Sequence, residues 1–236
     1  MRALILQHIP CEPPGHYEDV LVERGATIHR VELDQGEPLP DWRGFDLIIA
    51  MGGPMSVNDD RKLPWLTGEK RAIGEAVRAG VPYWGACLGA QLLAASLGAR
   101  VYAGPRPEVG VLPVELTEAA QADPVFRELP AELFTLQWHG DTFDLPEGAV
   151  LLAGSAACAH QAFRWGRRAY GVQFHIEVSV DMVCEWAKIP EYRDYLEREL
   201  GAEALPQQLA RLGALAEEMR GHSRAMFGRW LDMSGE

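Results

Sequence analysis

The first hundred residues alternate between short apolar runs and stretches with helical spacing. Residues 3–9 (ALILQHI), 27–33 (TIHRVEL), 46–51 (DLIIAM) and 81–86 (VPYWGA) are rich in apolar and β-branched side chains. Such runs are the mark of strands in a buried sheet. Between them, residues 17–24, 65–79 and 88–97 read as helices, closed by Gly25, Gly80 and Gly98, since glycine is the usual residue just past a helix end. This β-α-β order predicts a parallel sheet with helices on both faces. The second half is richer in strands, at 108–117, 133–138, 150–155, 161–165 and 168–174, punctuated by Pro130, Pro146-Glu147-Gly148 and Gly166. These strands either extend the sheet or form an antiparallel layer beside it. From Ser179 onward the pattern is helical. Leu205, Leu209, Leu212, Leu215, Met219, Met226 and Trp230 predict one amphipathic helix. It is expected to pack on its own domain, with a partner-binding face as the alternative.

Composition narrows the function classes. The chain has 236 residues, 47% of them hydrophobic and 24% charged, which is ordinary for a globular protein of one large or two small domains. Its net charge of −12 disfavours nucleic acid and anionic membrane partners. No stretch approaches the roughly 18 apolar residues that span a bilayer, and the N-terminus lacks a signal-peptide pattern. A cytoplasmic location with reduced thiols is expected. Cys11, Cys87, Cys158 and Cys184 are widely spaced with no Cys-x-x-Cys pair, and the histidines show no ligand spacing, so no metal and no cofactor are expected.

Candidate chemistry lies at predicted strand ends. Gly85-Ala86-Cys87-Leu88-Gly89 sits between an apolar strand and a helix, the setting of a nucleophile elbow with cysteine in place of serine. Such a turn exposes the sulfur at the carboxyl edge of the sheet. The following helix aims its free amides and positive dipole end there, which favours a thiolate and an anion site. A cysteine nucleophile needs a base. His175 ends an apolar strand and Glu177 follows two residues on. On an extended chain the two face the same side, so the carboxylate can hold the imidazole. Gly52-Gly53-Pro54 closes a third strand, and its glycines let backbone amides approach a developing oxyanion. Each piece alone is compatible with a plain turn or strand end. Complementary chemistry at three strand ends is what marks a site.

Together the segments GGPMSVND (52–59), YWGACLGAQLLA (83–94) and GVQFHIE (171–177) resemble the triad-type class I glutamine amidotransferases. QWHGDTFDLP (137–146) resembles the corresponding segment of their GMP-synthase-like branch. The likeness runs from about residue 3 to about 186. It implies an α/β fold: a flavodoxin-like three-layer α/β/α sandwich with a mostly parallel central sheet and an additional small antiparallel layer. It divides the chain into an amidotransferase-like unit at 1–190 and a helical extension at 191–236 packed on it. It also implies hydrolysis of a γ-carboxamide through a γ-glutamyl thioester. Cys87 matches the nucleophile, His175 the general acid/base and Glu177 its orienting carboxylate. Gly53 and Leu88 match the oxyanion-hole amides. Gly52, Gln91, Trp138, His139 and Gly140 match the substrate-binding positions, with Asp141 supporting their loop.

One departure stands between the triad His and Glu, where the family has proline and this chain has Ile176. Proline would fix the backbone angle, whereas isoleucine favours an extended chain that preserves the i, i+2 geometry. No synthetase segment and no ATP-pyrophosphatase loop is evident, so GMP synthesis by this chain alone is not expected. The leading expectation is a glutaminase that releases glutamate and ammonia from glutamine and passes the ammonia to a separate synthase. A stand-alone γ-glutamyl peptidase acting on glutathione-like or γ-glutamyl amine substrates is the second. A non-catalytic regulatory or scaffold protein of the same fold is the third.

Overall fold

A computed structural model of the chain describes residues 1–235. The elements run β1 (Arg2–Gln7), α1 (His16–Glu23), β2 (Thr27–Glu32), β3 (Leu47–Ala50), α2 (Trp65–Arg78), β4 (Tyr83–Ala86) and α3 (Leu88–Ser96). They continue with β5 (Val101–Leu116), α4 (Glu118–Ala122), β6 (Glu132–Phe143), β7 (Ala149–Gly154), β8 (Ala162–Trp165) and β9 (Ala169–Val172). Three helices close the chain: α5 (Val180–Trp186), α6 (Pro190–Leu200) and α7 (Ala204–Ser234).

The strands form one nine-stranded mixed sheet in the order β2-β1-β3-β4-β9-β8-β7-β5-β6. The first five in that order pair in parallel, as their buried apolar runs require. The remaining pairings are antiparallel. These strands therefore continue the same sheet, and the expected separate antiparallel layer does not form. The reason is β9, which pairs with β4 on one side and β8 on the other and so leaves no break between the two halves.

The alternation of strand side chains divides the core in two. Ala3, Ile5, Leu47, Ile49 and Trp84 face one side, where they meet Tyr17 and Leu21 of α1 and Phe227 and Trp230 of α7. Leu4, Leu6, Ile48, Ala50 and Tyr83 face the other, against Leu66 and Ile73 of α2 and Leu92 and Leu93 of α3. Helix α7 is part of the first core. Phe227 stacks on Tyr17 with ring centroids 4.7 Å apart, and Trp230 lies 5.5 Å from Trp84. The Trp230 indole N–H donates to the Arg168 carbonyl at 3.0 Å, which satisfies the polar end of a buried aromatic. The long amphipathic pattern thus covers this chain's own sheet. Among the described residues no helix is long and apolar enough to cross a membrane.

The carboxyl ends of β1, β3, β4 and β9 converge where the strand order reverses around β1 and β3. This is the usual ligand-binding edge of an open α/β sheet. His8, Gly52, Cys87 and Gln173 follow those strands directly or within two residues.

Candidate active site

Cys87 occupies the turn between β4 and α3 with φ 50° and ψ −105°. It is the only non-glycine residue with positive φ among the described residues, a conformation that costs about 1–3 kcal/mol and persists only where surroundings enforce it. Its N–H donates to the Val172 carbonyl at 2.8 Å, and the Gly89 N–H donates to the Met51 carbonyl at 3.1 Å. These bonds lash the elbow to both neighbouring strands. A Cβ at Gly85 would collide with the Gly89 carbonyl, and one at Gly89 with the Ala50 carbonyl. Close approach of helix to strand therefore requires both glycines.

His175 exchanges two backbone hydrogen bonds with Leu136 of β6, at 2.8 and 2.9 Å. Its Nδ1 lies 2.7 Å from Glu177 Oε1. A carboxylate accepts, so Nδ1 carries a proton, and the nearby Cys87 thiol acts electrostatically on the same ring. Burial opposes the imidazolium, but the Glu177 charge, the interaction with Cys87 and the Glu177 hydrogen bond outweigh it. The His175 pKa is raised well above the ordinary imidazole range. The Trp186 ring packs against it edge-on at 4.7 Å. The second Glu177 oxygen accepts the Ile176 N–H at 3.0 Å, a donor that proline lacks.

Two backbone amides beside the site are unpartnered. Leu88 opens helix α3 and Gly53 follows β3, and neither N–H has a hydrogen-bond partner among the described residues. Both residues line, with Cys87, a pocket of about 320 Å³. The structure brings Gln91, Trp138, His139, Gly140 and Asp141 to the same pocket. Gly52 does not line it. It sits behind the turn, where an added Cβ would collide with the Glu12 carboxylate and press on the His175 ring. Asp141 accepts the Ser56 hydroxyl at 2.9 Å and so ties strand β6 to the loop after β3.

Three contributors escaped the sequence reading. Gln173 donates to the Cys87 sulfur at 3.5 Å and accepts from Gln91 at 3.0 Å. Its signal was present, since 173, 175 and 177 share one face of an extended segment. Tyr192 and Tyr195 of α6 wall the pocket, and the Tyr192 hydroxyl donates to buried Glu12. That contact joins residues 180 apart and leaves no local pattern. Burial, first of all, holds the Glu12 pKa above the usual carboxylate value.

Glu108, His139 and Cys158 place one donor each within 4.8 Å of one another and are buried. Borderline zinc-type ligands could meet there. However, Ser155 and Gln161 donate to Glu108 at 2.8 Å each, and Cys158 contacts the Thr142 hydroxyl at 3.3 Å. Burial opposes ionisation of Glu108, but the nearby His139 and the hydrogen bonds from Ser155 and Gln161 prevail and hold its pKa below the usual value. His139 Nε2 lies 3.4 Å from Glu108 Oε2 without a hydrogen bond, so the cluster holds Glu108 but leaves one imidazole nitrogen unpartnered.

Comparison with known proteins places the chain in a family. The family model for class-I glutamine amidotransferases matches residues 17–182. The chain is similar to the glutamine amidotransferase-like protein YfeJ of Salmonella typhimurium, with 35% identity over 187 residues covering 78% of each. It is similar to one subunit of the GMP synthase (glutamine-hydrolysing) of Sulfurisphaera tokodaii, with 30% identity over 168 residues, 70% of this chain and 85% of that one. It spans only 24% of a full-length GMP synthase that it also matches. Among solved structures, a glutamine amidotransferase from Thermotoga maritima superposes with a TM-score of 0.88 at 32% identity over 98% of both chains.

Proposed function

Because the chain belongs to the class-I glutamine amidotransferase family, we propose that it hydrolyses the γ-carboxamide of glutamine to glutamate and ammonia. The observation that carries this reading is that one pocket is lined by Cys87, whose thiol interacts with the Glu177-held His175, and by Gly53 and Leu88, whose amides are unpartnered. The Cys87 thiolate attacks the γ-carbonyl carbon, and the oxyanion is held by the Gly53 and Leu88 N–H groups. His175 gives its proton to the nitrogen, the C–N bond breaks, and ammonia leaves a γ-glutamyl thioester. Water then adds to the thioester as His175 takes its proton. Collapse releases glutamate and regenerates the Cys87–His175 pair. Gln91, Trp138, His139 and Gly140 hold the amino-acid end of the substrate.

In this reading the scaffold is the flavodoxin-like sandwich, with residues 1–190 as the catalytic unit and 191–236 as an extension folded onto it. The ammonia passes to a separate synthase. The Sulfurisphaera relative supports this step, because its name makes it one subunit of such a synthase. One observation favours a second reading, a stand-alone γ-glutamyl peptidase. Tyr192 and Tyr195 of the chain's own α6 wall the pocket, so a substrate wall is present without a partner.

Glutamate release from glutamine and from a panel of γ-glutamyl peptides, without and with a candidate synthase, separates the two. Glutamine turnover that rises on adding the synthase supports the first, and peptide turnover without a partner supports the second. A Cys87→Ala protein that keeps full activity overturns both.

A further inference from the structure

Behind the Gly52–Gly53 turn lies a second histidine–carboxylate pair that the proposed reaction does not use. His8 follows β1 and Glu69 lies on α2, and both side chains are fully buried. His8 Nε2 is 2.9 Å from Glu69 Oε1, and Nδ1 is 3.2 Å from the Gly52 carbonyl oxygen. A carbonyl oxygen only accepts, so Nδ1 carries a proton. Burial opposes an imidazolium here, but the Glu69 charge and the two hydrogen bonds raise the His8 pKa nonetheless. The Trp65 ring stacks on the imidazole with centroids 5.8 Å apart and sets its plane.

A buried ion pair is weak evidence for stability, because desolvating two charges offsets their attraction. What this pair secures is the direction of one peptide. The Gly52–Gly53 bond is trans, as is every peptide bond among the described residues. In a planar trans peptide the C=O and the following N–H point opposite ways. Holding the Gly52 carbonyl at His8 therefore turns the Gly53 N–H away from His8. That N–H has no partner of its own, and Gly53 lines the pocket with Cys87. Two adjacent glycines leave this peptide free to rotate unless something holds it.

We propose that His8, held by Glu69, is the positioning residue of the oxyanion site: it anchors the Gly52 carbonyl so that the Gly53 N–H meets the substrate's γ-carbonyl oxygen. The proposal rests on the reading of Gly53 as an oxyanion donor. The hydrogen bond from His8 also polarises the peptide, so the N–H binds best when negative charge develops on the oxygen. Its effect falls on kcat rather than on KM.

Steady-state glutaminase kinetics of His8→Ala, His8→Asn and Glu69→Gln test this, with the rate of Cys87 alkylation by iodoacetamide as a second readout. Removing an oxyanion donor outright costs about 10²–10³ in kcat, so His8→Ala is expected to cost about 10–100-fold with KM nearly unchanged. Asn places an amide N–H near the position of Nδ1, so His8→Asn regains much of that loss. Glu69→Gln keeps the hydrogen bond without the charge and falls between. Alkylation stays at the unmodified rate throughout, because neither Cys87 nor His175 is touched. If His8→Ala does not fold, the other two variants carry the test on their own. A kcat within about twofold of the unmodified protein in every variant, an Asn variant no better than Ala, or alkylation that falls in step with kcat each overturns the proposal. Failure of the underlying reading looks different: the unmodified protein then turns over no γ-glutamyl compound, and the proposal falls with it.

Discussion

The Ile176 backbone N–H donates to Glu177 Oε2 at 3.0 Å, while Glu177 Oε1 accepts from His175 at 2.7 Å. The residue that departs from the family proline thus supplies one of the bonds that fix the triad carboxylate. A hydrogen bond to a charged group contributes about 1.5–3 kcal/mol, and proline cannot make it. Ile176→Pro is therefore expected to lower kcat by about tenfold, while Ile176→Val, which keeps the N–H, stays near the parent. Glutamate-release kinetics of the two variants decide it. A proline variant as active as the parent shows that the bond is idle.

Glu177 holds the imidazolium of His175, so Glu177→Gln should lower the His175 pKa. Burial would then act without its largest opponent, and the neutral ring would dominate at lower pH. Titration of the His175 ring by NMR is expected to show a proton retained above the ordinary range in the parent and lost earlier in the variant. A change of this kind in a triad costs up to about 10⁴ in kcat. An unchanged titration would mean that Glu177 does not govern the ring.

The thiols should separate by environment. Burial, aided by Glu12, pushes the Cys11 thiol up to about 12, and burial also raises Cys158. A thiol is nucleophilic only as the thiolate. In a Cys184→Ser background, iodoacetamide near neutral pH is expected to give a single adduct, at Cys87, and to abolish glutamate release in step with labelling. Peptide mass mapping reads it. Labelling at Cys11 ahead of Cys87 contradicts the assignment.

How much was legible in sequence follows from how each feature is encoded. The Cys87 elbow was readable because strand, tight turn and helix are contiguous and the turn demands Gly85 and Gly89. His175 and Glu177 were readable because the period of an extended chain joins them. The placement of the antiparallel strands was not, since nothing local says that β9 pairs with both β4 and β8. The family resemblance makes Gly52 a substrate position, yet of the two glycines only Gly53 reaches the pocket. His8 sat inside an apolar run and looked like part of the strand, and its role depends on Glu69, 61 residues away.

Glu12 offers a test that reads stability rather than turnover. Its carboxyl is buried against Gly52 and the His175 ring, Tyr192 of α6 donates to one oxygen, and the other oxygen has no partner. Burial chiefly raises its pKa above the ordinary 4.5, so the folded protein holds this proton more tightly than the unfolded chain does. Below pH 4.5 both states are protonated and the contribution is fully present. As pH rises from there the unfolded chain ionises first, and stability is lost until the folded pKa is passed. Glutamine is isosteric with the protonated acid, keeps the acceptor for Tyr192 and does not titrate. Glu12→Gln should therefore match the parent near pH 4 and exceed it near pH 7.5, by about 2–4 °C in unfolding midpoint, which corresponds to about 1 kcal/mol for a chain of this size. Tyr192→Phe, which loses a hydrogen bond in every protonation state, should lower the midpoint at both pH values. Thermal unfolding of the three proteins across this range checks the sign. A Glu12→Gln protein that is less stable than the parent at high pH would show that Glu12 is ionised in the fold.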